Sequence, residues 1–96
     1  MLPSELLAKP ESWCQQSLGR DKDGMTVGCL ITDAVSWCIE GALLRCFNIG
    51  RDYEEANLKL LETFKKLHRC YNYTSWNDDK YRTHDEVLAL LKEAGL

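Results

Sequence analysis

The sequence predicts an α+β domain, mainly α, and three observations carry that expectation. Thr32–Phe47, TDAVSWCIEGALLRCF, is apolar almost all the way round, with Val35, Cys38, Ile39, Ala42, Leu43 and Cys46 on one face at helical spacing. From Asp52 onward, Tyr53, Asn57, Leu60, Phe64, Leu67 and Tyr71 run down a single stripe, the pattern of a long amphipathic helix. Thr83 and Glu86 stand three apart just before Val87, Leu88, Leu90 and Leu91, which reads as a capping box opening a last helix.

Taken in order, Ser4 is expected to cap a short N-terminal helix, Glu5–Lys9, that turns Leu2, Leu6 and Leu7 inward before Pro10 stops it. Trp13-Cys14-Gln15-Gln16 and Met25–Leu30 flank a polar turn of the D-x-D-G type at Gly19–Gly24. Two short extended runs around such a turn read as a small β-hairpin, although a Gly-rich loop has the same letters. Thr32 or Asp33 then caps a central buried helix, and Asn48-Ile49-Gly50 ends it. Gly41 inside that helix costs about 1 kcal/mol against Ala, which is tolerated where a neighbouring backbone or ring must come close. Asp52 as N-cap, with Glu55 three residues on, opens the long helix. Asn72–Arg82 is a polar, aromatic connector, and Gly95 closes the C-terminal helix. These elements form one compact domain, residues 1–96, with one modest core.

Composition excludes several classes. The formal net charge is -3, with acids and bases interleaved, so the basic footprint of a duplex nucleic-acid binder is missing. No apolar run approaches the roughly 18 residues of a membrane span, and the N-terminal segment has no basic start before an apolar core. The five cysteines are Cys14, Cys29, Cys38, Cys46 and Cys70, an odd number without a C-x-x-C pair. They read as reduced core thiols rather than a disulfide scaffold or a zinc site, so no metal and no cofactor are expected and the setting is cytoplasmic.

Several short pieces recur as a set: Trp13-Cys14-Gln15, Arg20-Asp21-x-Asp23-Gly24, Trp37-Cys38-x-x-Gly41-Ala42-Leu43, Trp76-Asn77-Asp78 and Thr83-x-x-Glu86-Val87-x-x-Leu90. In that order they resemble a small family of stand-alone proteins of unknown function, found in bacteria and in their phages. The resemblance covers nearly the whole chain and implies a fold and a phage-related setting, with no activity attached. Two positions depart from it. Pro10 shortens a first helix that is usually longer, and Glu40 stands where an apolar residue is more usual.

Candidate binding residues are few. Trp76 lies in the connector, where an indole could stack on a flat ligand, and Asn77 and Asp78 beside it could read a polar edge, although such pairs more often shape turns. Arg82, with Lys80 and Arg69, could form a small patch for a phosphate, and Arg20 belongs to the D-x-D-G turn. Glu40, a carboxylate on a helix that otherwise reads as buried, calls for a cationic partner, Arg20 or Arg45, or for an opening onto a pocket. No Ser, Cys and Asp set accompanies His68 or His84 in a nucleophile pattern, so no catalytic residue is nominated. The leading expectation is a non-enzymatic small binding protein, phage-encoded and of counter-defence type, that sequesters a host protein or a small anionic ligand such as a nucleotide. The alternative is a protein–protein interaction module or homo-oligomeric accessory subunit, and a small enzyme stands third.

Overall fold

The computed structural model describes residues 1–68 and 72–96, and Arg69, Cys70 and Tyr71 lie outside them. Among the described residues, five helices and one two-stranded antiparallel ladder make up an α+β, mainly α fold: α1 Pro3–Leu6, β1 Gly19–Arg20, β2 Ser36–Trp37, α2 Ile39–Phe47, α3 Arg51–His68, α4 Tyr73–Asn77 and α5 His84–Glu93, with a 3-10 turn at Pro10–Ser12.

The central helix is shorter than its apolar letters indicate. It begins at Ile39, capped by the Cys38 sulfur, which accepts from the Gly41 N–H at 3.3 Å, and not at Thr32 or Asp33. The backbone before it is spent elsewhere. Val35 N–H donates to Arg20 O at 2.8 Å, Trp37 O accepts from Cys14 N–H at 3.0 Å, and Ser36 and Trp37 pair with Arg20 and Gly19. Chain committed to cross-strand bonds cannot also supply helical ones. Ile39, Gly41, Ala42 and Leu43 are buried, while Val35 is exposed and Cys46 only half-buried. Gly41 is required: a Cβ there would run into the Leu18 carbonyl, the close backbone approach that the glycine anticipates.

The antiparallel ladder differs from the expected one in both strands: Gly19–Arg20, from the expected turn, pairs with Ser36–Trp37, in place of Trp13–Gln16 with the run from Met25. The D-x-D-G turn still forms. Asp21 Oδ1 accepts from the N–H groups of Asp23 and Met25, both at 2.9 Å, and Arg20 bridges Thr26. Residues 21–35 thus become one long loop closed by the ladder.

The first helix sits earlier than Glu5–Lys9, because Pro3 starts it and Glu5 reaches back to the Leu2 N–H at 2.8 Å. Leu7 is fully buried, but Leu2 is exposed. Ser4 is not the cap; its N–H and hydroxyl both donate to Leu96 O at 3.0 Å. In α3, Arg51 precedes the expected cap Asp52, and Ala56, Leu60 and Phe64 are buried, whereas Leu67 is exposed. The connector after it is partly helical, since Asn72 Oδ1 caps α4 through the Ser75 N–H at 3.0 Å. Helix α5 follows its letters, with the reciprocal Thr83/Glu86 box in place. Gly95, at φ +78, closes a C-terminal turn in which Leu96 N–H reaches Leu91 O at 2.8 Å and the Leu96 side chain is buried. The core lies where α2, α3 and α5 meet, around Ile39, Leu43, Leu60, Phe64, Val87 and Leu91.

Candidate functional site

The W-N-D and W-C-Q pieces turn out to be two halves of one hydrogen-bond network. Asn77 is 1 % exposed, and its Oδ1 accepts from the Trp13 indole N–H at 2.8 Å and from Ile39 N–H at 3.2 Å. Its Nδ2 donates to Cys14 O at 3.3 Å and to Asp78 Oδ1 at 2.9 Å. Gln15 Nε2 donates to the carbonyls of Asn77 and Asp79 at 2.8 and 2.7 Å, and Asp78 Oδ1 accepts from Gln16 N–H at 2.8 Å. That last bond holds Gln16 at φ +63, a left-handed conformation rare without glycine. Asn77 is therefore fully occupied, and Asp78 joins it through Oδ1, in tying the N-terminal segment to α4 and to the start of α2.

Trp76 faces the other way. The Arg82 guanidinium lies 3.8 Å over its ring, while His68 and Phe64 stand 5.2 and 5.8 Å from it. Arg82 also donates from Nε to Trp76 O at 2.8 Å and from Nη1 to Glu86 at 3.0 Å. Bonds from the Thr83 N–H and hydroxyl, and then the Arg82 charge, hold the Glu86 carboxyl below its ordinary range. A groove of about 380 Å³ runs beside the ring, lined by Leu67, His68, Trp76, Glu86, Ala89, Leu90 and Glu93. Its rim carries carboxylates, and the indole, flanked by Arg82, His68 and Phe64, has little open face for a flat ligand. Lys80 lies over the exposed Tyr81 ring, and Arg69 falls outside the described residues.

Arg20 touches the Asn77 network only through Gln15, and Glu40 lies apart from both clusters. Arg20 donates to Gly24 O at 2.9 Å and to Gln15 O at 3.1 Å, holding the turn. Glu40 accepts from the Tyr53 hydroxyl at 3.4 Å, so its partner is a phenol and neither of the arginines expected. Tyr73, buried, donates to Asn57 Oδ1 at 2.6 Å; burial pushes both phenols up, and the Glu40 charge adds to it. Arg45 sits 5.5 Å from the Trp37 ring and donates to Ile31 O at 3.0 Å and Cys29 O at 3.3 Å. Cys14, Cys29, Cys38 and Cys46 are free thiols, and burial pushes Cys38 up to about 11. Among the described residues no three His, Cys, Asp or Glu side chains converge on a metal site.

A surface that the sequence reading missed is the loop 21–35. Met25 is 65 % exposed, and Leu30, Ile31 and Val35 are each close to half exposed at 52, 46 and 47 %. The loop is nonetheless fixed, by the Val35–Arg20 bond at its ends, by Arg45 on two of its carbonyls and by the Trp37 indole donating to Cys29 O at 3.0 Å. A cleft of about 440 Å³ opens in it between Asp21, Lys22, Asp23, Thr32, Asp33 and Val35. The apolar letters of Met25–Val35 are the signal for this surface, since neither the ladder nor α2 takes them up.

The described fold is that of a small, mainly helical α+β domain. Residues 4–95 match the model of the family described as Family of unknown function (DUF6197), and the chain belongs to that family. No curated protein and no solved structure matches it. Among the described residues no helix is long and apolar enough to cross a membrane.

Proposed function

We propose that this is a non-enzymatic binding protein that sequesters a protein factor through the loop 21–35. The observation that carries the reading is the set of exposed apolar side chains, Met25, Leu30, Ile31 and Val35, on a loop whose backbone is fixed. A fixed loop presents an apolar surface without a large ordering cost on binding, and clustered exposed apolar groups on a small domain mark contact sites. In a phage-encoded setting the partner is a host protein, and free thiols suit a reducing cytoplasm. Of the two ligand classes, a protein fits better than a nucleotide or other small anion. The guanidinium groups of Arg20, Arg45 and Arg82 each make two bonds within the fold, to backbone carbonyls and to Glu86, which gives all three a structural role.

The test is a triple substitution, Met25→Ser with Leu30→Ser and Ile31→Ser, compared with wild type in affinity capture from host lysate, light scattering and a thermal melt. The reading expects a captured protein that the variant loses, with little change in melting temperature, because none of the three side chains fills the core. Retention of that partner by the variant overturns it. A wild-type dimer that the substitutions dissociate transfers the same surface to a second copy of the chain, the oligomeric alternative.

A further inference from the structure

Cys14 and Cys38 are brought side by side by the chain's only link between its N-terminal segment and β2 in parallel register among the described residues, the bridge between Trp13 and Trp37. The Cys14 N–H donates to Trp37 O at 3.0 Å, so Cys14 and Cys38 directly follow the bridged tryptophans, at the point where the pairing ends because Ile39 N–H turns to Asn77 Oδ1. Side chains alternate along extended chain, which turns both sulfurs away from the face that carries the two indoles. Parallel neighbours lie about 4.8 Å apart, and the Cα atoms of disulfide partners about 4.4–6.8 Å apart, so residues that directly follow such a bridge start close to bonding reach. The surroundings agree. The thiol of Cys14 feels Arg20 and Asp78, the thiol of Cys38 feels Cys14, and Cys38 lines a cleft of about 360 Å³ with Gln16, Ser17, Leu18, Thr74 and Asp78. Cys14 is half-buried and Cys38 buried, which makes Cys14 the thiol that an oxidant meets first.

We propose that Cys14 and Cys38 form an oxidisable pair that closes an intramolecular disulfide in the folded protein when a disulfide oxidant such as oxidised glutathione is present. The Cys14 thiolate attacks one glutathione sulfur, forming a mixed disulfide and releasing one glutathione thiolate. Cys38 then gives its proton to water and attacks the Cys14 sulfur, expelling the second glutathione thiolate. Two protein thiols are oxidised, one glutathione disulfide is reduced to two thiols, and no other reactant is needed. Burial pushes both protein thiols up, so the reaction quickens as pH rises. The new bond closes a ring that contains the loop 21–35 and fixes the segments on either side of it.

The test incubates freshly reduced protein with oxidised glutathione under native conditions, alkylates the remaining thiols and maps the digest by mass spectrometry. The expected product is a monomer lighter by two hydrogens before alkylation, with Cys14 joined to Cys38 and with Cys29, Cys46 and Cys70 alkylated. Cys38→Ser, which keeps an oxygen to cap α2, should stop at a glutathione adduct on Cys14. Cys14→Ser, at a half-buried position, should yield neither product, and circular dichroism of both variants checks that they fold. In strong denaturant the preference for this pair should vanish. Absence of an internal disulfide in the folded wild type, a disulfide between any other two cysteines, or equal yield of the pair in denaturant overturns the proposal.

Discussion

The indole N–H of Trp13 donates to Oδ1 of Asn77 at 2.8 Å across 64 residues of chain, and the same oxygen accepts from the first backbone N–H of α2. One amide therefore fixes the N-terminal segment, the central helix and α4 against one another. Asn77→Ala leaves a part-buried indole N–H and a buried backbone N–H without a partner, at a cost of about 2–4 kcal/mol. Asn77→Asp keeps the acceptor but loses the donor to Cys14 O and sets a charge against Asp78, so it too should destabilise. Urea denaturation of the two variants checks this, and a change below about 0.5 kcal/mol for the alanine variant contradicts it.

Gly41→Ala should cost about 3 kcal/mol or more, although alanine is the better helix former by about 1 kcal/mol, because the added methyl meets the Leu18 carbonyl. Leu18→Ala should be close to neutral, since the approach is made by backbone and the side chain is 41 % exposed. Thermal melts of the pair separate backbone crowding from side-chain packing.

Trp76→Ala should cost about 2–3 kcal/mol, the lower part of the range for an aromatic truncation, since the ring packs on Phe64, His68 and Arg82 but is only half-buried. Arg82→Ala should cost less, about 1 kcal/mol. A denaturant melt decides the role of this segment. A large loss marks Trp76 as the pin that holds α4 on α3, whereas a negligible one returns it to the candidates for partner contact.

Stability should fall in alkali. The Cys38 thiol titrates near 11 when folded, against an unfolded value near 9, so the folded state holds its proton more tightly. Its contribution is full below the unfolded value and is lost as pH rises from about 9 to 11, amounting to about 2–3 kcal/mol. Tyr73 and Tyr53, also raised by burial, extend the loss to higher pH. Urea midpoints across this window should fall for wild type and fall less for Cys38→Ser, while an equal slope in both would assign the loss to other groups.

What the sequence by itself determined was whatever is settled within a few residues of chain. The Thr83/Glu86 box and the Gly95 closure of α5 are local hydrogen-bond chemistry, and the long helix with Leu60 and Phe64 of its stripe buried needs only helical periodicity, although Leu67 of that stripe is exposed. The motif pieces around Trp13 and Trp76 also drew attention by their residue types, and Gly41 announced a close neighbour. Only the tertiary structure decided what they touch. Thr32–Val35 carries helical spacing, yet Val35–Trp37 bonds to Arg20, Gly19 and Cys14, and those distant partners move the start of α2 to Ile39. Asn77, Arg20 and Arg82 read as ligand groups in one dimension and are satisfied by backbone carbonyls, indole and carboxylate in three, because a backbone carbonyl is the same at every residue and leaves no mark in the letters. The exposed loop 21–35 and the Cys14–Cys38 proximity have the same origin: strand pairing is made between segments far apart in the chain, and nothing local specifies it.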